Sequence, residues 1–210
     1  MTAYRDIYCD LPSRVHEVWQ LSKAKTDSSQ RDLSVTAMLM AAATGFAMPW
    51  ESLKDVGSGN RNDWNAHPSF AKGDQAHYQS VLKSCDKFLS QKISDNPSLQ
   101  SVSFRHCSDQ SDICDVAEYG NRGKKLELNN HTVRCAVRVL RNALAHNNIV
   151  AFGLNSDQID KLGFFSENRV GSGCVSTVDG YLVVTFTTSA FQDFLDAWFL
   201  ILKPEKNETR

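Results

Sequence analysis

Apolar residues recur every three to four positions along much of this chain, the spacing that gathers them on one face of an α-helix. The clearest case runs from about Thr132 to His146, where Val133, Ala136, Val137, Val139, Leu140, Ala143 and Leu144 share one arc at about 100° per residue. Arg134, Arg138, Arg141, Asn142 and His146 take the other arc. A helix with so clean an apolar face is bound to a core by it, so these polar groups point to solvent, a cleft or a partner. Asn147 and Asn148 then stop the helix.

The same periodicity predicts four more helices. One spans about Pro12 to Lys25, with Val15, Val18, Trp19 and Leu21 inward and Ser13 placed as a cap. The next, Arg31 to about Met48, is apolar around most of its circumference from Leu33 to Phe46 and reads as the central buried helix, ended by Pro49. A third covers about Lys72 to Ile93 through Tyr78, Val81, Leu82, Cys85, Phe88 and Leu89. The last, Ser189 to Leu202, puts Phe191, Phe194, Leu195, Trp198, Phe199 and Leu202 on one side as core filling.

Residues 55–73, rich in Gly, Asn, Asp and Ser, read as an exposed loop, and 94–130 as a long irregular connection with short helical turns. Ile149–Gly153 is extended. Two β-prone runs, Gly173–Val178 and Tyr181–Thr187, read as a hairpin because Asp179-Gly180 suits a tight turn. The expected architecture is therefore all-α, a bundle of about five helices with one small C-terminal hairpin, in a single domain over residues 1–204 and a polar tail over 205–210.

A net charge of -1 gives no global cationic field, so contact with nucleic acid would need a local patch. Arg134, Arg138 and Arg141 form such a strip, which Lys124 and Lys125 would extend. The N-terminus lacks the apolar core of a signal peptide and no run approaches a membrane span, so the chain is expected to be cytosolic, with no membrane partner. Six scattered cysteines then read as thiols. Cys107 and Cys114, beside His106, are too widely spaced for a structural zinc chelate, and no metal site or cofactor is expected. His67, His77 and His106 have no partner at recognisable spacing.

Cleaving RNA without a metal requires a base for the ribose 2'-hydroxyl proton, an acid for the leaving 5'-oxygen, and a cation for charge growing on the phosphate. Histidine is the side chain that titrates near neutral pH, and arginine does not lose its charge. His146 is thus the candidate proton carrier and Arg141 the phosphate clamp. Asn142, four residues before His146, shares its face and is placed to orient the imidazole or bond substrate. Arg134 and Arg138 are candidate substrate contacts. Arg141 and His146 lie about 140° apart on an ideal helix, so either the long arginine side chain lets both reach one phosphate or two copies of the motif cooperate across a dimer.

Arg141-Asn142-Ala143-Leu144-Ala145-His146 resembles the signature of the HEPN domains, an arginine followed after four to six residues by a histidine, often with a polar residue after the arginine. The helix from Leu33 to Phe46, the closing hairpin and Phe191–Trp198 are similar to a bacterial and plasmid-borne subgroup of that family. The resemblance implies a HEPN-like helix bundle that dimerises with the two motif helices facing each other. It also implies a metal-independent endoribonuclease acting on RNA, in some relatives a toxin with an antitoxin protein of nucleotidyltransferase type. Other relatives bind nucleotides or have lost activity, so the alternative is an inactive module that binds a nucleotide, nucleic acid or protein, or a motif helix serving only as a dimer seam. The 94–130 connection and the hairpin depart from a minimal HEPN bundle.

Overall fold

A five-stranded antiparallel sheet, in the order β2-β1-β5-β4-β3, runs through the protein and overturns the all-α expectation. The computed structural model describes residues 7–23, 34–47, 75–153, 159–170 and 176–202. Its elements are α1 (Ile7–Lys23), α2 (Ser34–Ala42) with a π-helical turn Ala43–Ala47, α3 (Gln75–Ser90), β1 (Ser103–Cys107), α4 (Ile113–Tyr119), β2 (Lys124–Lys125), α5 (Val133–His146), β3 (Ile149–Phe152), β4 (Lys161–Val170), β5 (Thr177–Thr187) and α6 (Thr188–Leu202). The expected exit at Pro49, the 55–73 loop and the polar tail lie outside the described residues.

Two layers of helix cover the sheet. Phe104, Leu162, Phe164, Val184 and Phe186 pack on one face against α5 and α6, together with residues of α1 to α3. Phe164 lies 4.8 Å from Phe191 and 6.0 Å from Phe186 between ring centroids, so aromatic contacts weld α6 to the strands. On the opposite face Cys107 and Val183 pack with Ile113, Val116 and Ala117 of α4. With both faces covered, the central strands carry apolar residues on each, and the alternation that marks a half-buried strand is blurred. Leu162-Gly163-Phe164 in β4 is buried without a break. This is why β4 escapes the periodicity reading. The 94–130 segment is likewise not irregular throughout, since β1, α4 and β2 fall inside it.

The expected hairpin is corrected too. Asp179 and Gly180 do not turn the chain; they lie inside the continuous strand β5. Glu167 pairs with Tyr181 and Arg169 with Val178, so one residue, Asn168, faces two, Asp179 and Gly180. This is a β-bulge with Gly180 at φ +87°. The His106 ring nitrogen donates to the Asp179 carbonyl and holds the bulge against β1. Gly180 takes positive φ in either setting, but Asp179 keeps negative φ in the strand where a two-residue turn would need it positive.

The helices are otherwise close to expectation. Every residue of the predicted α5 arc is buried except Leu144, which is half-buried. The α6 residues named above are all buried. In α1, Trp19 is buried but Val18 and Leu21 are 67% and 65% exposed. Helix α2 buries Val35, Met38, Ala41 and Ala42 yet exposes Met40, so it is not the central helix. That place belongs to α5, which spans between α3 and strand β4. No helix among the described residues is long and apolar enough to cross a membrane.

Candidate functional site

Main-chain hydrogen bonds fix α5 at both ends. At its start Val133 N donates to Gln91 O and Ile93 N to His131 O, each at 2.9 Å. At its end Asn147 takes the left-handed conformation that asparagine tolerates, at φ 55°, and its N–H caps Ala143 O. Asn148 N also donates to Ala143 O, and Asn148 O accepts from Phe165 N at 3.1 Å. The helix therefore stops at His146 and hands the chain directly to the sheet edge. Its apolar arc buried, α5 leaves His146 exposed and Asn142 half-buried beside that junction.

His146 and Asn142 line a cavity of about 520 Å³ with Asn148. Its other wall is the sheet: Phe165, Ser166, Glu167 and Arg169 of β4 and Tyr181 of β5, with Gln110 from the turn after β1. Tyr181 Oη donates to Gln110 Oε1 at 3.4 Å. Strand β3 pairs with β4 only as far as Phe164, so beyond that point the edge of β4 opens into the cavity. Ser166 and Leu182 pair on the α5 face, whereas Phe165, Glu167 and Tyr181 share the α4 face. The cavity thus wraps around the strand edge.

The structure brings Asn142 and His146 together on this cavity and leaves the arginines off its lining. Arg141 Nη1 donates to Asn142 Oδ1 at 2.8 Å, so the amide orients the guanidinium of its neighbour. Arg134 Nη2 pairs with Asp86 Oδ1 of α3 at 3.0 Å, and Arg138 is exposed. Lys124 and Lys125 sit on β2, at the sheet edge opposite β3, and do not extend the arginine stripe. A guanidinium that does line the cavity is that of Arg169.

Residues on the sheet wall escaped the sequence reading because β4 did. The signal present was a short apolar run, Leu162-Gly163-Phe164-Phe165, followed by four polar residues in a row, Ser166 to Arg169. Thiol chemistry is disfavoured nearby. Burial, then Asp112, push the Cys107 thiol up to about 11 against the opposing pull of Arg105, which suppresses the thiolate. Cys85, Cys107, Cys114 and Cys135 are free. Among the described residues no group of three or more His, Cys, Asp or Glu is placed to hold a metal ion.

No curated protein and no solved structure gives a significant match to the chain. A family model described as HEPN pEK499 p136 matches residues 1–209. Since that match takes in all but one of the residues, the chain belongs to the HEPN pEK499 p136 family.

Proposed function

We propose that the protein is a metal-independent endoribonuclease that cleaves single-stranded or looped RNA in a cleft between two copies of the chain. Family membership supports the general class, a nuclease or nucleotide-binding module, and HEPN domains commonly dimerise and bind RNA. The observation that carries the narrower reading is that Asn142 and His146, one turn apart at the end of α5, open onto one cavity of about 520 Å³. That volume is in the range of small-ligand sites.

A neutral His146 imidazole takes the proton of the ribose 2'-hydroxyl, and O2' attacks the adjacent phosphorus. The P–O5' bond breaks as a protonated imidazole gives its proton to O5', leaving a cyclic phosphate and a 5'-hydroxyl. The two His146 side chains of a dimer share these duties. Arg141, oriented by Asn142, stabilises the charge on the non-bridging oxygens. Arg138 and Arg134 contact the flanking RNA backbone along α5. A toxin-like role, held in check by an antitoxin protein of nucleotidyltransferase type, fits the same chemistry.

Labelled RNA incubated with chelator tests this. Wild type should cut, and His146→Ala should slow cutting by about 10²–10⁴-fold. A rate unchanged in that variant removes the assignment, and light scattering from a strict monomer removes the two-copy cleft. The second reading is a binding module without turnover. It is favoured by Arg141 lying off the cavity lining within one copy, and wild type that binds RNA but never cuts it would select this reading.

A further inference from the structure

The nuclease reading uses the helix wall of the cavity and leaves the sheet wall unassigned. Phe165 and Tyr181 meet there edge to face with ring centroids 6.5 Å apart. Both are half-buried, so part of each ring is left to the cavity. Beside them Arg169 Nε and Nη2 both donate to one oxygen of Glu167, Oε2, at 2.9 and 2.6 Å. Glu167 Oε1 and Arg169 Nη1 make no other hydrogen bond or ion pair among the described residues. The two side chains remain 44% and 55% exposed, so a ligand can reach them. Two residues apart on β4, they share one face of the strand, and the bulge of β5 falls opposite Asn168 between them.

We infer that this wall is a nucleobase subsite that selects guanine in single-stranded RNA, an inference that rests on the nucleotide-handling reading of the same cavity. Unpaired bases are commonly held by stacking on aromatic rings and read along their Watson–Crick edge. A carboxylate has two acceptor oxygens side by side. Guanine alone among the four RNA bases presents two adjacent donors, N1–H and the 2-amino group, on that edge, with the O6 acceptor next to them. Glu167 accepts from the two donors, one at the unused Oε1 and one at Oε2 in exchange for one of its two bonds from Arg169, while Arg169 Nη1 donates to O6. None of the other bases matches both donors: adenine has the N1 acceptor and a bare C2–H there, cytosine the acceptors N3 and O2, and uracil N3–H beside the O2 acceptor, so each leaves a carboxylate oxygen unpaired or facing a lone pair. The strand edge separates the tasks: phosphate chemistry lies on the α5 side and base reading on the α4 side.

Calorimetric binding of guanosine, adenosine, cytidine and uridine 3'-monophosphates to the intact chain tests the inference without requiring turnover. Guanosine monophosphate should bind about tenfold more tightly than the others. Glu167→Gln should bring all four within about twofold of one another. Arg169→Gln should narrow the preference, and Phe165→Leu should weaken all four alike, with thermal melting of each variant as the folding check. Equal affinities, no binding of any nucleotide, or a guanine preference that survives Glu167→Gln overturns the inference. A Glu167-dependent preference in a chain that never cuts RNA keeps the subsite and discards the nuclease. Cutting that needs His146 but ignores both guanine and Glu167 does the reverse.

Discussion

Replacing Gly180 with alanine tests the bulge that shapes the sheet wall of the cavity. Gly180 has φ +87°, and a Cβ added there would stand 2.2 Å from the Cys107 carbonyl oxygen and 3.1 Å from both Cys107 C and His106 Nε2. Left-handed backbone costs a residue with a Cβ about 1–2 kcal/mol. The overlap is with backbone, so β1 and β5 must part, and overpacking of this kind costs about 1–3 kcal/mol more. Together the two terms predict a loss of about 2–5 kcal/mol. Gly120→Ala separates them. Gly120 is also left-handed, at φ +64°, but its added Cβ would have nothing nearer than Arg105 Nη2 at 3.5 Å. It should therefore lose only the first term, about 1–2 kcal/mol. Urea unfolding gives both values, and at about 2–4 °C per kcal/mol for a chain of this size the melting temperature of Gly180→Ala should fall by about 4–20 °C. Stability of Gly180→Ala equal to wild type, or a loss no larger than that of Gly120→Ala, would refute the close approach of the two strands.

The motif helix gives a second contrast. Leu140→Ala, at a site with no exposure, should cost about 2–5 kcal/mol. Arg138→Ala on the exposed side of the same helix should stay within about 0.5 kcal/mol by urea titration. His131 sets a pH dependence: burial, then the Lys92 charge, hold its pKa below the ordinary 6.5, so the folded chain binds fewer protons there than the unfolded one. Its contribution to stability is present above about pH 6.5 and is lost as pH falls through the lowered folded value. His131→Asn should accordingly show a smaller drop in urea midpoint between about pH 7.5 and pH 5 than wild type. An equal drop would contradict the shift. Thiol labelling of the folded chain near about pH 8 should modify exposed Cys114. It should spare Cys85, whose thiol burial and then Asp86 push up to about 12, and Cys107, at about 11. Peptide mapping reads the result, and label on Cys85 in the folded state would refute its burial.

Helices α5 and α6 were legible from the chain alone because each buries one face, and a one-sided helix writes its burial directly into a 3.6-residue period. The polar arc with Arg141, Asn142 and His146, and the stop at Asn147, follow from the same local rule. Strand β4 was not legible, and with it went Phe165, Glu167 and Arg169. A strand covered on both faces has no polar side to alternate with. Asp179-Gly180 shows the other limit: the dipeptide specifies that the backbone can take positive φ at the glycine, and turn and bulge both use that. Pairing with β1 and β4, from residues far away in the chain, chose the bulge. Local sequence sets which backbone angles and which helix faces are favourable. Which strands meet, and so what faces His146 across the cavity, depends on long-range pairing that no local period encodes.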